Sequence, residues 1–114
     1  MAATAPVRVV VQISDPAKVE QALASLKNLI AGMPGAEVEA VFHQDAVEAV
    51  LKGSPHGAAV RELVEAGARV VACMNSLKAR GLSPRDLAEG VGVGEAGVVE
   101  IVKRQAEGWA YLRL

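Results

Sequence analysis

Aromatic rings are nearly missing from this 114-residue chain: Phe42, Trp109 and Tyr111 are the only three. A core without rings must be assembled from small branched and methyl side chains, and 21 alanines and 18 valines supply them. Cysteine occurs once, at Cys73, which excludes a disulfide framework. One Cys with two His is also too few for a four-ligand structural zinc site, and no metal site is expected. Charge of one sign is lacking too, since 12 Lys and Arg against 13 Asp and Glu leave a formal net charge of −1. Sequence-independent nucleic-acid binding needs a basic face with stacking rings interleaved, so nucleic acid is not an expected partner. No apolar run approaches the roughly 18 residues of a membrane span, and no membrane partner is expected. The opening Met1-Ala2-Ala3-Thr4-Ala5-Pro6 has no basic start, and Arg8 interrupts the first apolar run. It does not read as a signal peptide. The expected location is cytoplasmic, where a lone thiol stays reduced.

What is present is apolar: 52% hydrophobic residues against 22% charged, which excludes disorder. The length reads as one domain over residues 1–114, able to bury about two-thirds of its unfolded surface. Val7 to Ile13 is a β-branched run, and its near-continuous apolarity suits a strand covered on both faces. Ser14-Asp15-Pro16 opens a helix, with Asp15 as N-cap and Pro16 at the first helical position. Val19, Ala22, Leu23, Leu26 and Ile30 carry that helix, and Gly32, Pro34 and Gly35 end it. Glu37 to His43 alternates as a second strand, and Asp45 to Lys52 reads as a short helix. Ser54 is placed to cap the next helix, which packs through Val60, Leu63 and Val64 and stops at Gly67.

Arg69 to Cys73 is a third strand, followed by a short helix over Asn75 to Arg80. Ser83-Pro84-Arg85-Asp86 has the spacing of a capping box and opens a further helix. Val91 to Val93 reads as a brief strand. Val98, Ile101, Val102 and Gln105 mark the last helix, and Trp109 to Leu114 alternates as a closing strand. Strands and helices in alternation predict an α/β fold, a parallel sheet with helices on both faces in three layers.

Ligands of such sheets bind beyond the carboxyl ends of the strands. Ser14 and Asp15 lie there after the first strand, His43, Gln44 and Asp45 after the second, and Cys73, Met74, Asn75 and Ser76 after the third. Cys73 ends a buried strand and precedes a helix, where free N–H groups and the helix dipole stabilise a thiolate. Asn75 or Ser76 is placed to cap that helix and bond the sulfur, and His43 is a candidate base or proton donor. The alternative for Cys73 is a small buried hydrophobe. His56, beside Pro55 in a turn, reads as surface. Gly92-Val93-Gly94-Glu95-Ala96-Gly97 matches the dinucleotide pattern, but only 17 residues follow it and none offers the acidic ribose ligand. It reads as a glycine-rich loop, and no cofactor is expected. Trp109 and Tyr111 project from one side of the last strand, either as a subunit contact or as cover for the sheet.

Two segments carry a resemblance: Val70 to Leu82 (Val-Val-Ala-Cys-Met-Asn-Ser-Leu-Lys-Ala-Arg-Gly-Leu reading from Val70) and Ala96 to Arg113, with its Gln-Ala-Glu-Gly-Trp-Ala-Tyr. With the opening strand and the Ser14-Asp15-Pro16 turn, the chain resembles the DsrE/DsrF-like family of small intracellular sulfur-relay proteins. The resemblance implies a three-layer α/β/α fold with a five-stranded, largely parallel sheet. It also implies a homo-oligomer, either a trimer or a dimer of trimers. In members tied to sulfur oxidation or tRNA thiolation, a cysteine accepts sulfane sulfur as a persulfide and passes it on. Cys73 matches that cysteine by position. The expected function is thus a sulfur carrier that meets donor and acceptor proteins, sulfurtransferase-like but without a complete catalytic site of its own. The alternatives are a non-catalytic ligand-binding or assembly module with a structural cysteine, and a redox sensor using the same thiol.

Overall fold

Val9, Val10, Val11 and Ile13 favour extended backbone because branching at Cβ restricts χ1, and the strand they build lies inside the sheet. The structure, a computed structural model, describes residues 6–114. Residues 1–5, on which the expectation of no signal peptide partly rests, lie outside the described residues. Five strands, β1 (Arg8–Ile13), β2 (Glu37–Phe42), β3 (Arg69–Cys73), β4 (Gly92–Gly94) and β5 (Ala110–Arg113), lie in the order β4-β3-β2-β1-β5. All four pairings are parallel, so the α/β fold predicted from the alternation is the one that forms. Among the described residues no helix is long and apolar enough to cross a membrane.

Alternation along the strands sorts the side chains onto two unlike faces. Val9, Val11, Ile13, Val38, Ala40, Phe42, Val70 and Ala72 belong to the main core. It is closed by α1 (Val19–Gly32), α2 (Gly57–Glu65) and α3 (Met74–Ala79). α1 buries Val19, Ala22, Leu23 and Leu26, the i, i+3, i+4, i+7 stripe of a helix seated on a sheet.

The opposite face carries Val10, Gln12, Glu39, Val41 and His43. One helix, α4 (Gly97–Ala106), lies across β1 and β2 there, and Ile101 and Trp109 close over Val10 and Val41. α4 does not turn all its apolar residues inward. Val98 and Val102 are 60% and 63% exposed, whereas Glu39 beneath the helix is 1% exposed. Glu39 sets this orientation, because a buried carboxyl group needs polar partners. Arg104 supplies them, donating from Nε to Oε2 at 3.2 Å and from Nη2 to Oε1 at 3.1 Å. Its guanidinium also lies 4.9 Å from the centre of the Trp109 ring.

Several local expectations change. The segment after β2 is a 3₁₀ helix, Gln44–Val50, rather than an α-helix over Asp45 to Lys52. Its buried residues are Ala46, Val47, Ala49 and Val50, two i, i+3 pairs that a three-residue turn brings into line. Ser54 does not cap α2; its Oγ accepts from the His56 N–H at 3.0 Å, in a turn that delays the helix to Gly57. The Ser83–Asp86 capping box is present, but it closes a single 3₁₀ turn, Pro84–Asp86.

Burial first, then the hydrogen bond with Glu100, raises the Glu39 pKa from 4.5 to about 7 against the pull of Arg104. Glu100 moves down, chiefly through that same hydrogen bond, so of the two carboxyl groups Glu39 holds a proton more tightly. A carboxyl group whose pKa is raised on folding binds its proton more tightly in the native state. Its stabilising contribution is complete below pH 4.5 and is lost as pH rises to about 7. Glu39→Gln should remove that slope, by up to about 3 kcal/mol. In melts followed by circular dichroism, its Tm relative to wild type should be most favourable at pH 8 and least favourable near pH 4.5. A Tm difference that does not change with pH would contradict this.

Candidate functional site around Cys73

Cys73 is the last residue of β3 and the N-cap of α3, with Sγ accepting from the Ser76 N–H at 3.4 Å. It occupies the position where an oxygen side chain normally satisfies a free helical N–H. A second donor comes from far along the chain, for the Gly97 N–H, at the first residue of α4, reaches Sγ at 3.2 Å. The sulfur thus faces the N-terminal N–H groups of two helices while remaining 5% exposed. Burial pushes the thiol pKa up. The hydroxyl and N–H of Ser76, with the N–H groups of Gly97 and Asn75, outweigh it, and the net shift is downward.

Ser76 has a second task. Its Oγ accepts from the Gln44 N–H at 2.7 Å, and Gln44 has φ +54°, the only positive φ outside glycine among the described residues. Backbone of this kind costs about 1–3 kcal/mol and persists where surroundings hold it. Arg80 braces the same junction, donating from Nη1 to the Ser76 carbonyl at 2.9 Å and pairing with Asp45.

His43 is 4% exposed. Its Nε2 lies 3.0 Å from Gln12 Nε2, and the Tyr111 hydroxyl donates to Gln12 Oε1. Burial, and then the charge of Arg113, lowers its pKa, so the ring is neutral at pH 7. On its other flank is Gly97, where an added Cβ would meet His43 Cβ at 2.8 Å and Cγ at 3.0 Å. The Gly97 backbone therefore touches both the imidazole and the sulfur.

Cys73, His43 and Ser76 come together at one strand edge. Asn75 is exposed and its N–H also approaches the Glu95 carbonyl, at 3.3 Å, so it contributes main chain to the site. Neither Asn75 nor Ser76 is the cap of α3; the sulfur itself takes that position. Asp15 caps the turn after β1, accepting from the Ala17 N–H at 2.9 Å, with half-buried Ser14 beside it. No hydrogen bond joins Ser14 or Asp15 to Cys73 or His43 among the described residues. Trp109 is buried against Val10, Val41 and Ile101, while Tyr111 is 44% exposed. Two contributors escaped the sequence reading: Gly97 and Gln12. Gly97 was visible only as the last residue of a glycine pattern, and Gln12 only as a polar interruption in an apolar strand.

Among the described residues no group of three His, Cys, Asp or Glu side chains is arranged to hold a metal. A groove of about 340 Å³ runs between α1 and α2, lined by Leu23, Ile30, Ala59 and Leu63 and bordered by the Lys27–Glu62 ion pair. It shares no residue with the cysteine site.

The sequence from residue 7 to 114 matches the DsrE/DsrF-like family, and the chain belongs to that family. Membership implies a role of the sulfur-relay type. Among solved structures, a protein of unknown function from Methanobacterium thermoautotrophicum, MTH1491, is 38% identical with a TM-score of 0.90. That match covers 95% of this chain and 99% of the other. The E. coli protein YchN shares the fold at 19% identity and a TM-score of 0.84, over 95% of this chain and 99% of its own. So does BT1422 of Bacteroides thetaiotaomicron, a conserved protein of unknown function, at 12% identity and a TM-score of 0.75 over 94% of each chain. No curated protein matches the sequence.

Gly97→Ala should force the start of α4 away from His43 and lengthen the N–H contact to Sγ, at about 1–3 kcal/mol of stability. The thiol pKa should rise, and iodoacetamide alkylation at pH 7 should slow by about tenfold, the effect of one lost hydrogen bond to a thiolate. Gly94→Ala, whose Cβ would sit 3.4 Å from Val71 Cγ1, is the control and should leave the alkylation profile in place.

Proposed function

We propose that the protein is a sulfur carrier of the relay type, with Cys73 as the carrying residue. The observation behind this reading is the convergence of main-chain N–H groups on Sγ, from Ser76 at 3.4 Å and Gly97 at 3.2 Å. Donors fixed by two helix starts stabilise a thiolate, and they serve equally well for the anion of a persulfide. As thiolate, Cys73 attacks the outer sulfur of a donor persulfide, R–S–SH. The donor S–S bond breaks as the new one forms, giving Cys73–S–SH and R–S⁻, with no net oxidation. An acceptor thiolate then takes the outer sulfur by the same displacement, and Cys73 returns as thiolate. Donor and acceptor are proteins met in the cytosol.

Incubation with a sulfane-sulfur donor followed by intact-mass measurement should add one sulfur atom to the wild-type chain and none to Cys73→Ser. Equal behaviour of the two proteins would refute the reading.

A second reading has its own support. Cys73 is 5% exposed, as a packing residue would be, and the protein is then a binding or assembly module. In that case the thiol resists iodoacetamide at neutral pH until the chain unfolds.

Self-association accompanies the first reading. Val98 and Val102 stand on the outer side of α4, 60% and 63% exposed, and exposed Val99 lies beside them. Paired apolar residues in the open suit contact with a second copy of the chain. Light scattering coupled to size exclusion should find a trimer or a dimer of trimers for the wild type. Val98→Glu with Val102→Lys should give a smaller species with an unchanged far-UV spectrum.

A further inference from the structure

Gln12 lies between two groups that depend on which way its amide is turned. The Tyr111 hydroxyl donates to Gln12 Oε1, and Gln12 Nε2 lies 3.0 Å from His43 Nε2. With the amide oxygen held toward the phenol, the NH₂ end faces the imidazole. An amide NH₂ can only donate, so His43 Nε2 must be the nitrogen with the free lone pair. The ring proton is then on Nδ1. That nitrogen is on the Gly97 side, 3.3 Å from where a Gly97 Cβ would stand, and the Gly97 N–H is on the Cys73 sulfur at 3.2 Å.

We propose that Gln12, braced by Tyr111, is a positioning residue that locks His43 in the neutral Nδ1–H tautomer, so that the ring offers an N–H donor toward Gly97 and the Cys73 site. A neutral imidazole N–H is a hydrogen-bond donor and a very weak acid. In this tautomer the ring acts toward the site as a hydrogen-bond donor rather than as a base.

The parts come from separate strands. Gln12 is on β1, His43 follows β2 and Tyr111 is on β5, while the register Gln12↔Val41 and Gln12↔Arg113 aligns them on one face. Around the ring, β5 contributes Tyr111 and Arg113, whose cation opposes a charged imidazole. β3 contributes Cys73, and α4 contributes its first peptide at Gly97. Only the consequence for sulfur chemistry rests on the carrier reading; the tautomer stands apart from it.

Long-range ¹H–¹⁵N correlation spectra of the full chain with labelled histidine, at pH 7.5, read the tautomer directly. A His56→Asn sample assigns the signals, since the chain has two histidines. The expected wild-type result is a protonated Nδ1 and an unprotonated Nε2 for His43. Gln12→Glu puts an acceptor against Nε2 and should move the proton there, with the ring's titration midpoint rising. Tyr111→Phe should leave a mixture of the two forms. An Nε2–H form in the wild type would overturn the proposal, as would an unchanged tautomer in Gln12→Glu. The wild-type spectrum decides even if a variant fails to fold. If Cys73 takes up no sulfur while His43 shows Nδ1–H, the carrier reading fails and the positioning role survives; the reverse pair of results separates them equally well.

Discussion

The absence of a side chain at Gly97 is the constraint on which the rest of the site depends. The first peptide of α4 has to pass so close to the end of β2 that even a methyl group would collide with His43 Cβ at 2.8 Å. That approach is what carries the Gly97 N–H to the sulfur at 3.2 Å. It also fixes where α4 begins on its path across the sheet. One packing requirement thereby joins residues 43, 73 and 97, drawn from three connections of the fold. Energetically the arrangement is asymmetric, since a glycine lost there disturbs packing and chemistry together, whereas Gly92 and Gly94 of the same stretch belong to the edge strand β4.

The same face of the sheet shows two ways of burying a group that can ionise. Cys73 is surrounded by peptide N–H groups, whose dipoles are fixed by helical backbone and need no proton exchange to welcome negative charge. Glu39 is surrounded by side chains, an arginine and a second carboxylate, and its charge is resisted by burial and by Glu100 despite Arg104. The contrast is between main chain and side chain as solvent. Peptide dipoles are built into the fold and favour an anion at a defined point. The side-chain cluster under α4 instead orients the helix, and in doing so leaves Val98 and Val102 facing outward.

Most of the fold could be read from the chain because its signals are local. The valine runs mark β1 and β3, Asp15 and the Ser83–Asp86 box mark turns, and each position follows from its near neighbours. The site was legible in so far as it depends on strand ends, which brought Cys73, His43 and Ser76 into consideration. What escaped depends on contacts between distant residues. Nothing near Gly97 shows that its N–H meets a sulfur 24 residues away. Nothing near Gln12 shows that its amide lies between residues 43 and 111. Val98 and Val102 mark a helix in the sequence, but helical spacing gives a face and not its direction; the buried Glu39 decides that. The 3₁₀ segment after β2 was missed for a related reason, since its i, i+3 pairs fit either helix until the surrounding core selects one.

The position of β5 has a bearing on how the protein comes into being. β1 and β5 lie far apart in sequence, yet they pair directly, Val9 with Ala110 and Gln12 with Arg113. Until β5 has paired, Gln12 has no phenol against its amide. A folding chain can pair β1, β2 and β3 while that neighbour is still missing. Because Tyr111 and Gln12 stand 99 positions apart, their meeting closes a long loop at an entropic cost, and the surroundings of the imidazole are complete only once β5 has paired.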